Sequence, residues 1–281
     1  MHVADNFVSI RGKRLGLNDL VDTRLHNETY LLELRERIQT AQPFQHFVED
    51  NWFNPVLLEL ILEEFESESA PGWRAISDKN QTTQRSLNDS RFGPASQLYF
   101  GLVNSGWFVR VLSFLTEVDE LLVDVHLHGG GLHETKAGGH FAVHRDFDRH
   151  LRSGLHNEMV MITYLNKSWQ PQWGGALELW SSGGAHPVTS IQPEFGRTIL
   201  MRHGHNSFHG HPHSLTPPEG VKRRSVASYY YSNRYARIDR ESRQNSLFLF
   251  MSASDKARRV GKAVMPPILW DVIGKLVRRI K

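Results

Sequence analysis

Short stretches with the character of β-strands fill the chain from Leu121 onward, and they restrict the fold more than any other feature of the sequence. Eight such stretches occur, at residues 122–127, 140–147, 159–166, 176–180, 187–191, 197–203, 207–211 and 223–232. Glycine-rich segments such as residues 129–131 and 174–175 separate several of them and are typical of turns. Many short strands without helices between them favour a β-sandwich or jelly roll over alternating β and α units.

Helical patterns dominate the part of the chain that precedes these strands. Apolar residues recur at helical spacing in residues 28–41, and again after Asn54-Pro55, where the proline suits the first turn of a second amphipathic helix. The same spacing returns in residues 97–117. Residues 67–96 are polar and rich in Ser, Asn and Gln, and we interpret them as a long loop or lid. The predicted fold class is therefore α+β with a mainly β core, in which the N-terminal helices pack on one sheet.

The composition of the 281 residues excludes several kinds of site. There is no cysteine, so disulfide bonds, thiolate metal sites and cysteine nucleophiles are excluded, and any metal must be held by histidine and carboxylate side chains. Hydrophobic residues make up 40%, which is enough to fill the core of an ordinary globular protein. No stretch resembles a signal peptide, and none approaches the roughly 18 apolar residues of a membrane span. We therefore expect a cytoplasmic protein.

The C-terminal segment differs from the rest of the chain in charge. Residues 234–281 contain 12 Lys or Arg against 4 Asp or Glu, and after Pro266-Pro267 the apolar residues fall on one helical face with basic residues between them. Such a basic amphipathic helix docks either on the protein's own core or on an anionic membrane surface, where the protein would be peripheral. Nucleic acid is not an expected partner, because no recognition or stacking motif accompanies the basic residues. We predict three regions: residues 1–119 with the helices and the lid loop, the β core of residues 120–233, and a basic tail.

One histidine and one carboxylate share a face of a predicted strand. Side chains alternate between the two faces of an extended strand, so His144 and Asp146 point the same way and Arg145 points away. If a later strand supplies a second histidine, the three side chains form the two-histidine, one-carboxylate triad that holds non-haem Fe(II) and leaves coordination positions open. His209 and His211 share a face of a later predicted strand, and their pattern alone does not decide between them.

Several further motifs follow His144-Arg145-Asp146 in a definite order along the chain. They are Thr163-Tyr164-Leu165-Asn166, Trp169, Trp173-Gly174-Gly175-Ala176-Leu177-Glu178-Leu179, Pro193-Glu194-Phe195-Gly196-Arg197, His209-Gly210-His211-Pro212 and Arg223-Arg224-Ser225. In this order, over roughly residues 120–232, they resemble the prolyl-hydroxylase-like branch of the Fe(II)/2-oxoglutarate oxygenases. The resemblance implies a double-stranded β-helix, which is a cupin-like jelly roll, and it implies that His209 is the distal iron ligand beside His144 and Asp146.

A binding site for the cosubstrate 2-oxoglutarate also follows from the resemblance. Arginine offers a planar, permanently charged set of donors for the distal carboxylate of this molecule. Arg223 and Ser225 share a strand face and match the family's Arg-x-Ser strand, so they are the predicted contacts, with Arg224 as the alternative. Tyr164 matches a second contact to the same carboxylate, although a tyrosine packed in the core would leave the same pattern. His133 lies roughly where relatives carry a residue of the cosubstrate pocket.

The activity implied by the resemblance is that of a hydroxylase. Its cofactors would be Fe(II), 2-oxoglutarate and O2, with ascorbate as a further candidate, and it would hydroxylate an unactivated C–H bond while releasing succinate and CO2. The substrate stays open between a prolyl residue in a peptide, a free amino acid and a sugar- or lipid-linked compound, and we expect residues 67–96 to take part in selecting it. The alternative is a non-redox, cupin-like protein that binds a metal or a carbohydrate.

Overall fold

The structure is a computed structural model, and it describes residues 6–66, 72–87 and 91–233. The predicted tail of residues 234–281, with its basic amphipathic helix, lies outside the described residues, as does part of the predicted loop at residues 67–96. Within the described ranges the chain forms fourteen β-strands and four α-helices.

The four α-helices lie in the N-terminal half of the described chain, where the sequence predicts them. They are α1 (Glu28–Thr40), α2 (Pro55–Glu64), α3 (Pro94–Val103) and α4 (Gly106–Thr116), and short 3-10 helices occupy Leu17–Asp19, Thr23–His26 and Pro171–Trp173. Asn27 begins α1, because its side-chain oxygen accepts a hydrogen bond from the backbone N–H of Tyr30. Pro55 begins α2, as predicted. The helical pattern of residues 97–117 corresponds to two helices, since the side chain of Ser105 caps a new helix just after α3 has ended.

Fourteen strands make up the β structure of the described residues. They are β1 (Phe7–Ile10), β2 (Lys13–Gly16), β3 (His46–Asp50), β4 (Trp73–Ser77), β5 (Gln81–Ser86), β6 (Leu122–Val123), β7 (Gly131–Thr135), β8 (His140–His144), β9 (His156–Tyr164), β10 (Leu177–Trp180), β11 (Pro187–Ile191), β12 (Arg197–Arg202), β13 (Phe208–His211) and β14 (Arg223–Ser232). β1 and β2 form a separate hairpin, and the other twelve form one curled sheet in the order β11-β10-β13-β8-β5-β7-β14-β9-β12-β3, with β4 paired to β5 and β6 to β14. Each of the eight predicted strands is present, and the sheet is the predicted jelly roll.

The interpretation of residues 67–96 as a loop or lid is wrong for the parts that the structure describes. Trp73–Ser77 and Gln81–Ser86 are the two strands of an antiparallel hairpin, and α3 begins at Pro94. β5 also pairs with both β7 and β8, so this hairpin joins the two halves of the jelly roll. Trp73 packs against Phe65, but Gln81, Thr83 and Arg85 of β5 are polar side chains that line a cavity, so the hairpin lacks the apolar alternation by which strands are usually predicted.

The N-terminal helices pack on one sheet through a large apolar core, as predicted. The buried side chains of all four helices form one cluster with Met161 of β9, Leu200 of β12 and Tyr230 of β14. Tyr99 of α3 also shares a buried hydrogen bond of 3.0 Å with Thr163 of β9. Among the described helices none is long and apolar enough to cross a membrane alone, and α3 and α4, which meet at a bend of 50°, pass that test of length and composition only as a pair.

The side chain of Glu64 joins the end of α2 to the beginning of α3. It is fully buried, and its two carboxylate oxygens accept hydrogen bonds of 2.8 and 2.9 Å from the backbone N–H groups of Ala95 and Ser96. These N–H groups belong to the first turn of α3 and have no partner within the helix. The contact therefore fixes the angle at which the two helices support the sheet.

We expect Glu64→Ala to lower the free energy of unfolding by about 2–3 kcal/mol, because it leaves two buried N–H groups without an acceptor. Urea denaturation measures this change. Glu63→Ala is the matched control, since the neighbouring Glu63 is 49% exposed and its ion pairs with Arg11 and Lys13 lie on the surface. The free energy of unfolding of this control variant should fall by no more than about 1 kcal/mol. Equal losses in the two variants would contradict the assigned role of Glu64.

Candidate metal centre

A cavity of about 310 Å³ lies against the curled sheet. Side chains of β5, β7, β8, β9, β13 and β14 line it. All the predicted site residues except Arg224 lie along its wall, namely His133, His144, Asp146, Tyr164, His209, Arg223 and Ser225. The fold therefore brings into one place residues that are up to 92 positions apart in the sequence, from His133 to Ser225.

His144, Asp146 and His209 come together at the wall of this cavity. The Nε2 atom of His144 lies 3.3 Å from Oδ1 of Asp146, and the Nε2 atom of His209 lies 3.8 Å from Oδ2 of the same carboxylate. One donor atom of each side chain falls within 4.8 Å of the other two, so a single metal ion can contact all three. Among the described residues this is the group of histidines and carboxylates whose spacing suits a metal. His211 also lines the cavity, but it does not belong to this group of three side chains.

The pairing of β8 with β13 sets the distance between the two histidines. His144 lies directly opposite His209 in the register, and their ring centroids are 4.7 Å apart. The register then shifts between His209 and His211, where Gly210 lies against the backbone of β8. A Cβ atom at Gly210 would stand 2.8 Å from the carbonyl oxygen of Ala142, so no larger residue fits without moving the strand. Glycine between the two histidines is thus a packing requirement of the site.

Backbone hydrogen bonds orient both imidazoles toward the shared space. The Nδ1 atom of His144 lies 2.9 Å from the carbonyl oxygen of Ala142, and that of His209 lies 3.0 Å from the carbonyl oxygen of Ser207. A carbonyl can only accept, so each Nδ1 carries the proton and each Nε2 offers its lone pair. Phe141 stacks on the ring of His144 with centroids 3.9 Å apart, which further fixes its orientation. This is the arrangement that metal-binding histidines require.

The protonation states of His209 and Asp146 also suit a metal. Burial lowers the pKa of His209 to about 4, against the opposite effect of Asp146, so the imidazole is neutral near pH 7. Burial alone would raise the pKa of Asp146, but the neighbouring side chains of His209, His144 and His203 together hold it well below its ordinary value. A neutral imidazole and an ionised carboxylate are the forms that bind metal ions.

Two residues that the sequence analysis did not single out contact the carboxylate of Asp146. The hydroxyl of Tyr229 donates a hydrogen bond of 3.1 Å to Oδ2, and the Nε2 atom of the buried His203 lies 3.2 Å from the same oxygen. Tyr229 has a signal in the sequence, because it lies on the same face of β14 as Arg223 and Ser225. His203 follows the end of β12, and nothing in its local sequence distinguishes it from the other histidines.

Arg223 occupies another part of the cavity wall, where it is 7% exposed. Its Nε atom donates to the carbonyl oxygen of Gly175 at 2.8 Å, and a terminal nitrogen donates to the hydroxyl of Tyr164 at 3.3 Å. Gly175 allows this approach, since a Cβ atom there would stand 3.1 Å from the Cδ atom of Arg223. Within the described ranges no carboxylate pairs with this guanidinium. It therefore keeps its charge available to an anionic ligand in the cavity.

Arg224 lies on the opposite face of β14 and does not line the cavity. Its Nε atom donates to a carboxylate oxygen of Glu134 at 2.8 Å, and its guanidinium also bonds Glu66. Because both of these carboxylates already neutralise Arg224, the geometry favours Arg223 over the alternative as the anchor for a carboxylate in the cavity.

His133 is enclosed in the cavity wall between β5 and β14. It lies opposite Ser225 on one side and opposite Arg85 on the other. Burial, and after it the charge of Arg85, lowers the pKa of His133 to about 4, so the side chain is neutral in the folded protein. Its Nε2 atom has no hydrogen-bond partner among the described residues.

The burial of neutral His133 makes the stability of the fold depend on pH. The pKa of the residue is about 4 in the folded chain against 6.5 ordinarily, so between these values the unfolded chain binds more protons and stability falls as the pH drops. Lowering the pH from 7 to 5 should cost on the order of 2 kcal/mol through this residue. Urea denaturation at pH 7 and at pH 5 gives the loss of unfolding free energy between them. This loss should be smaller in His133→Gln than in the wild type by that amount. Equal losses in wild type and variant would contradict the buried, neutral state.

Comparisons with known proteins identify the domain that carries this site. Residues 130–231 match the family model of the 2OG-Fe(II) oxygenase superfamily. A prolyl-4-hydroxylase from Pseudomonas putida superposes with a TM-score of 0.53 at 15% identity, covering 72% of this chain and 98% of its own. A prolyl hydroxylase from Trichoplax adhaerens, in complex with a peptide fragment of hypoxia inducible factor, superposes with a TM-score of 0.51 at 15% identity, covering 74% and 92%. An oxidoreductase of the 2OG-Fe(II) oxygenase family from Burkholderia pseudomallei gives 0.51 at 11% identity, covering 73% and 92%. No curated protein sequence matches the chain.

Residues 130–231 match the 2OG-Fe(II) oxygenase superfamily, and the described chain has a fold like that of the prolyl 4-hydroxylases, which together support an oxygenase enzyme. This family match implies Fe(II), 2-oxoglutarate and O2 as cofactors. The residues present fit this set, since two imidazoles and a carboxylate converge beside a cavity that also holds a buried arginine. The match favours this class over the alternative of a non-redox, cupin-like binding protein.

Proposed function

We propose that this oxygenase hydroxylates an unactivated C–H bond, with Fe(II) held by His144, Asp146 and His209. The observation that carries the proposal is the convergence of these three side chains at one wall of the cavity. Another wall of the same cavity contains Arg223, which is buried and forms no ion pair with a carboxylate of the described residues. A metal at the first place and an anionic cosubstrate at the second would both be enclosed. The substrate C–H bond would then enter the remaining part of the same cavity.

Iron and cosubstrate supply the oxidising power, because O2 and 2-oxoglutarate are together converted to succinate, CO2 and one hydroxyl group on the substrate. The protein's part is to position the metal and the cosubstrate and to enclose them in the cavity. His144 and His209 present their Nε2 atoms to the cavity because their Nδ1 atoms are bound to backbone carbonyls. Tyr229 donates to Oδ2 of Asp146 and lies near His203, so one oxygen of the carboxylate is held by the protein and Oδ1 faces His144.

Binding of the cosubstrate depends on β14 and β9. Arg223 has donors that no carboxylate of the described chain occupies, and the neighbouring hydroxyls of Tyr164 and Ser225 stand on the same side of the sheet. These three residues would hold the distal carboxylate of 2-oxoglutarate, with its other end toward the metal. His133 lies beside Ser225 and would form the wall of this subsite. Ascorbate stays a candidate without a site assigned to it.

Where the protein acts in the cell is a separate proposal. We propose that the enzyme is cytoplasmic, and we infer from the basic residues 234–281 that it can be peripheral at an anionic membrane surface through the predicted helix after Pro267. The support is the charge and the apolar face in the sequence, since the segment lies outside the described residues.

Loss of any proposed iron ligand should abolish metal binding. We expect Asp146→Ala and His209→Ala to weaken the binding of Mn(II) by more than about 100-fold, which is more than the loss of a hydrogen bond to a metal ligand would cause. Electron paramagnetic resonance measures the binding. His211→Ala is the matched control, because His211 lies on the same strand and in the same cavity but outside the ligand group. Its affinity for Mn(II) should change by less than about 10-fold. Retained metal binding in Asp146→Ala would sink the proposed centre.

The two adjacent arginines should respond differently to 2-oxoglutarate. Replacing a buried partner of a charged pair costs at least about 2 kcal/mol, so Arg223→Gln should raise the Kd for 2-oxoglutarate about 30-fold or more. Arg224→Gln should leave it within about 3-fold, since Arg224 faces Glu134 outside the cavity. The visible absorption of the anaerobic protein with Fe(II) and 2-oxoglutarate measures both values, and succinate formed on admission of air tests the activity. The reverse order of the two variants would assign the cosubstrate to Arg224.

A further inference from the structure

The strand β5 presents three polar side chains to the cavity that the proposed iron and cosubstrate sites do not use. Gln81, Thr83 and Arg85 are alternate residues of this strand and therefore share one face. The amide nitrogen of Gln81 donates a hydrogen bond of 2.6 Å to the hydroxyl of Thr83. Arg85 is the charged member of the set.

Arg85 has no acidic partner among the described residues. Its Nε atom is buried and makes no hydrogen bond, and no carboxylate in the described ranges comes within ion-pair distance of its guanidinium. The residue directly opposite on β4 is Arg74, a second cation that is exposed to solvent. Burial and then the charge of Arg74 lower the pKa of Arg85, and only Tyr229 acts in the opposite direction. A partly buried guanidinium in such surroundings is stabilised when an anion joins it.

Arg85 and Arg223 belong to different parts of the cavity wall. Tyr164, Ser225, His133 and Arg85 lie opposite one another across β9, β14, β7 and β5, in one row perpendicular to the strands. Since neighbouring strands are about 4.8 Å apart, the backbone of Arg85 is about 10 Å from that of Ser225. His133 stands between the two positions. One 2-oxoglutarate molecule held by Arg223 and the metal therefore leaves Arg85 facing the substrate space.

The charges in the cavity with iron and 2-oxoglutarate bound also leave Arg85 without a counter-charge. Fe(II) brings two positive charges and 2-oxoglutarate two negative ones, and Asp146 and Arg223 cancel each other. His133 is neutral near pH 7, because burial lowers its pKa to about 4. Of the described residues that line the cavity, Arg85 is then the one whose charge is not offset. An unpaired charge in an enclosed site is costly unless a ligand neutralises it.

We propose that Arg85 binds an anionic group of the substrate, a carboxylate or a phosphate, and thereby determines which substrates the enzyme accepts. The proposal rests on the function proposed above, because it takes the iron and cosubstrate places as filled. Arginine is suited to both oxyanions through its planar pair of donors. Of the substrate classes that the sequence leaves open, Arg85 favours a free amino acid, or a sugar- or lipid-linked compound that carries a phosphate, over an uncharged prolyl segment.

Small methyl-bearing anions can test this proposal before the substrate is identified. The protein is loaded with Mn(II) and saturated with 2-oxoglutarate, and proton relaxation of the methyl group is measured for acetate, methyl phosphate and the neutral acetamide. We expect saturable, Mn(II)-dependent relaxation for at least one anion and none for acetamide. Faster relaxation of acetate indicates a carboxylate substrate, and faster relaxation of methyl phosphate indicates a phosphate.

The residue is tested with Arg85→Gln and with Arg74→Gln as the matched control, since Arg74 is the cross-strand neighbour that stays outside the cavity. Arg85→Gln should weaken the anion about 10-fold or more, whereas Arg74→Gln should change it less than about 3-fold. Equal relaxation in wild type and Arg85→Gln, as for an anion bound directly to the metal, would overturn the proposal. So would a loss of affinity for 2-oxoglutarate in Arg85→Gln as large as in Arg223→Gln. Failure of the proposed function is distinct, because 2-oxoglutarate itself would then show no Mn(II)-dependent relaxation in the wild type.

Discussion

The antiparallel register of β8 and β13 is the constraint on which the site depends. It places His144 opposite His209, and residues directly opposite in such a pair are only about 4.5–5.5 Å apart. Gly210 lets the two backbones approach this closely, because a Cβ atom there would meet the carbonyl oxygens of β8. Asp146 follows the end of β8, where its carboxylate reaches both rings. A slip of one residue would turn one imidazole to the other face of the sheet and separate the three donors.

The rest of the cavity is built outward from that register. β5 pairs with β8 on the metal side and with β7 on the other, and β7 pairs in turn with β14, which carries Arg223. The same strand that joins the two halves of the sheet therefore also contributes a wall of the cavity. Behind the sheet, the helices bury the outer face of β9, β12 and β14 in one apolar core. The position of each arginine is thus fixed by strand pairing rather than by a flexible loop.

The sequence pattern predicted those features of this protein that depend only on neighbouring residues in the chain. Alternation along a strand is a two-residue property, so it placed His144 with Asp146 and Arg223 with Ser225 on common faces. The choice between His209 and His211 needed the resemblance, because both lie on one strand face and only the pairing with β8 separates them. The hairpin β4–β5, and with it Arg85, was missed because the polar side chains of Gln81 and Thr83 line the cavity and leave no apolar alternation. His203 reaches Asp146 only through the tertiary fold, so its role has no local signal.

The central claim is that one metal ion is bound by His144, Asp146 and His209, with the cosubstrate extending from it toward Arg223. Anomalous X-ray diffraction from crystals of the protein with Mn(II) and 2-oxoglutarate tests this claim most directly. The account predicts one strong Mn(II) peak at bonding distance, roughly 2.0–2.3 Å, from the Nε2 atoms of the two histidines and from a carboxylate oxygen of Asp146. It also predicts density for the distal carboxylate of 2-oxoglutarate against the guanidinium of Arg223. A peak ligated by His211 or His203 in place of His209, or a cosubstrate bound at Arg85 instead, would contradict the account.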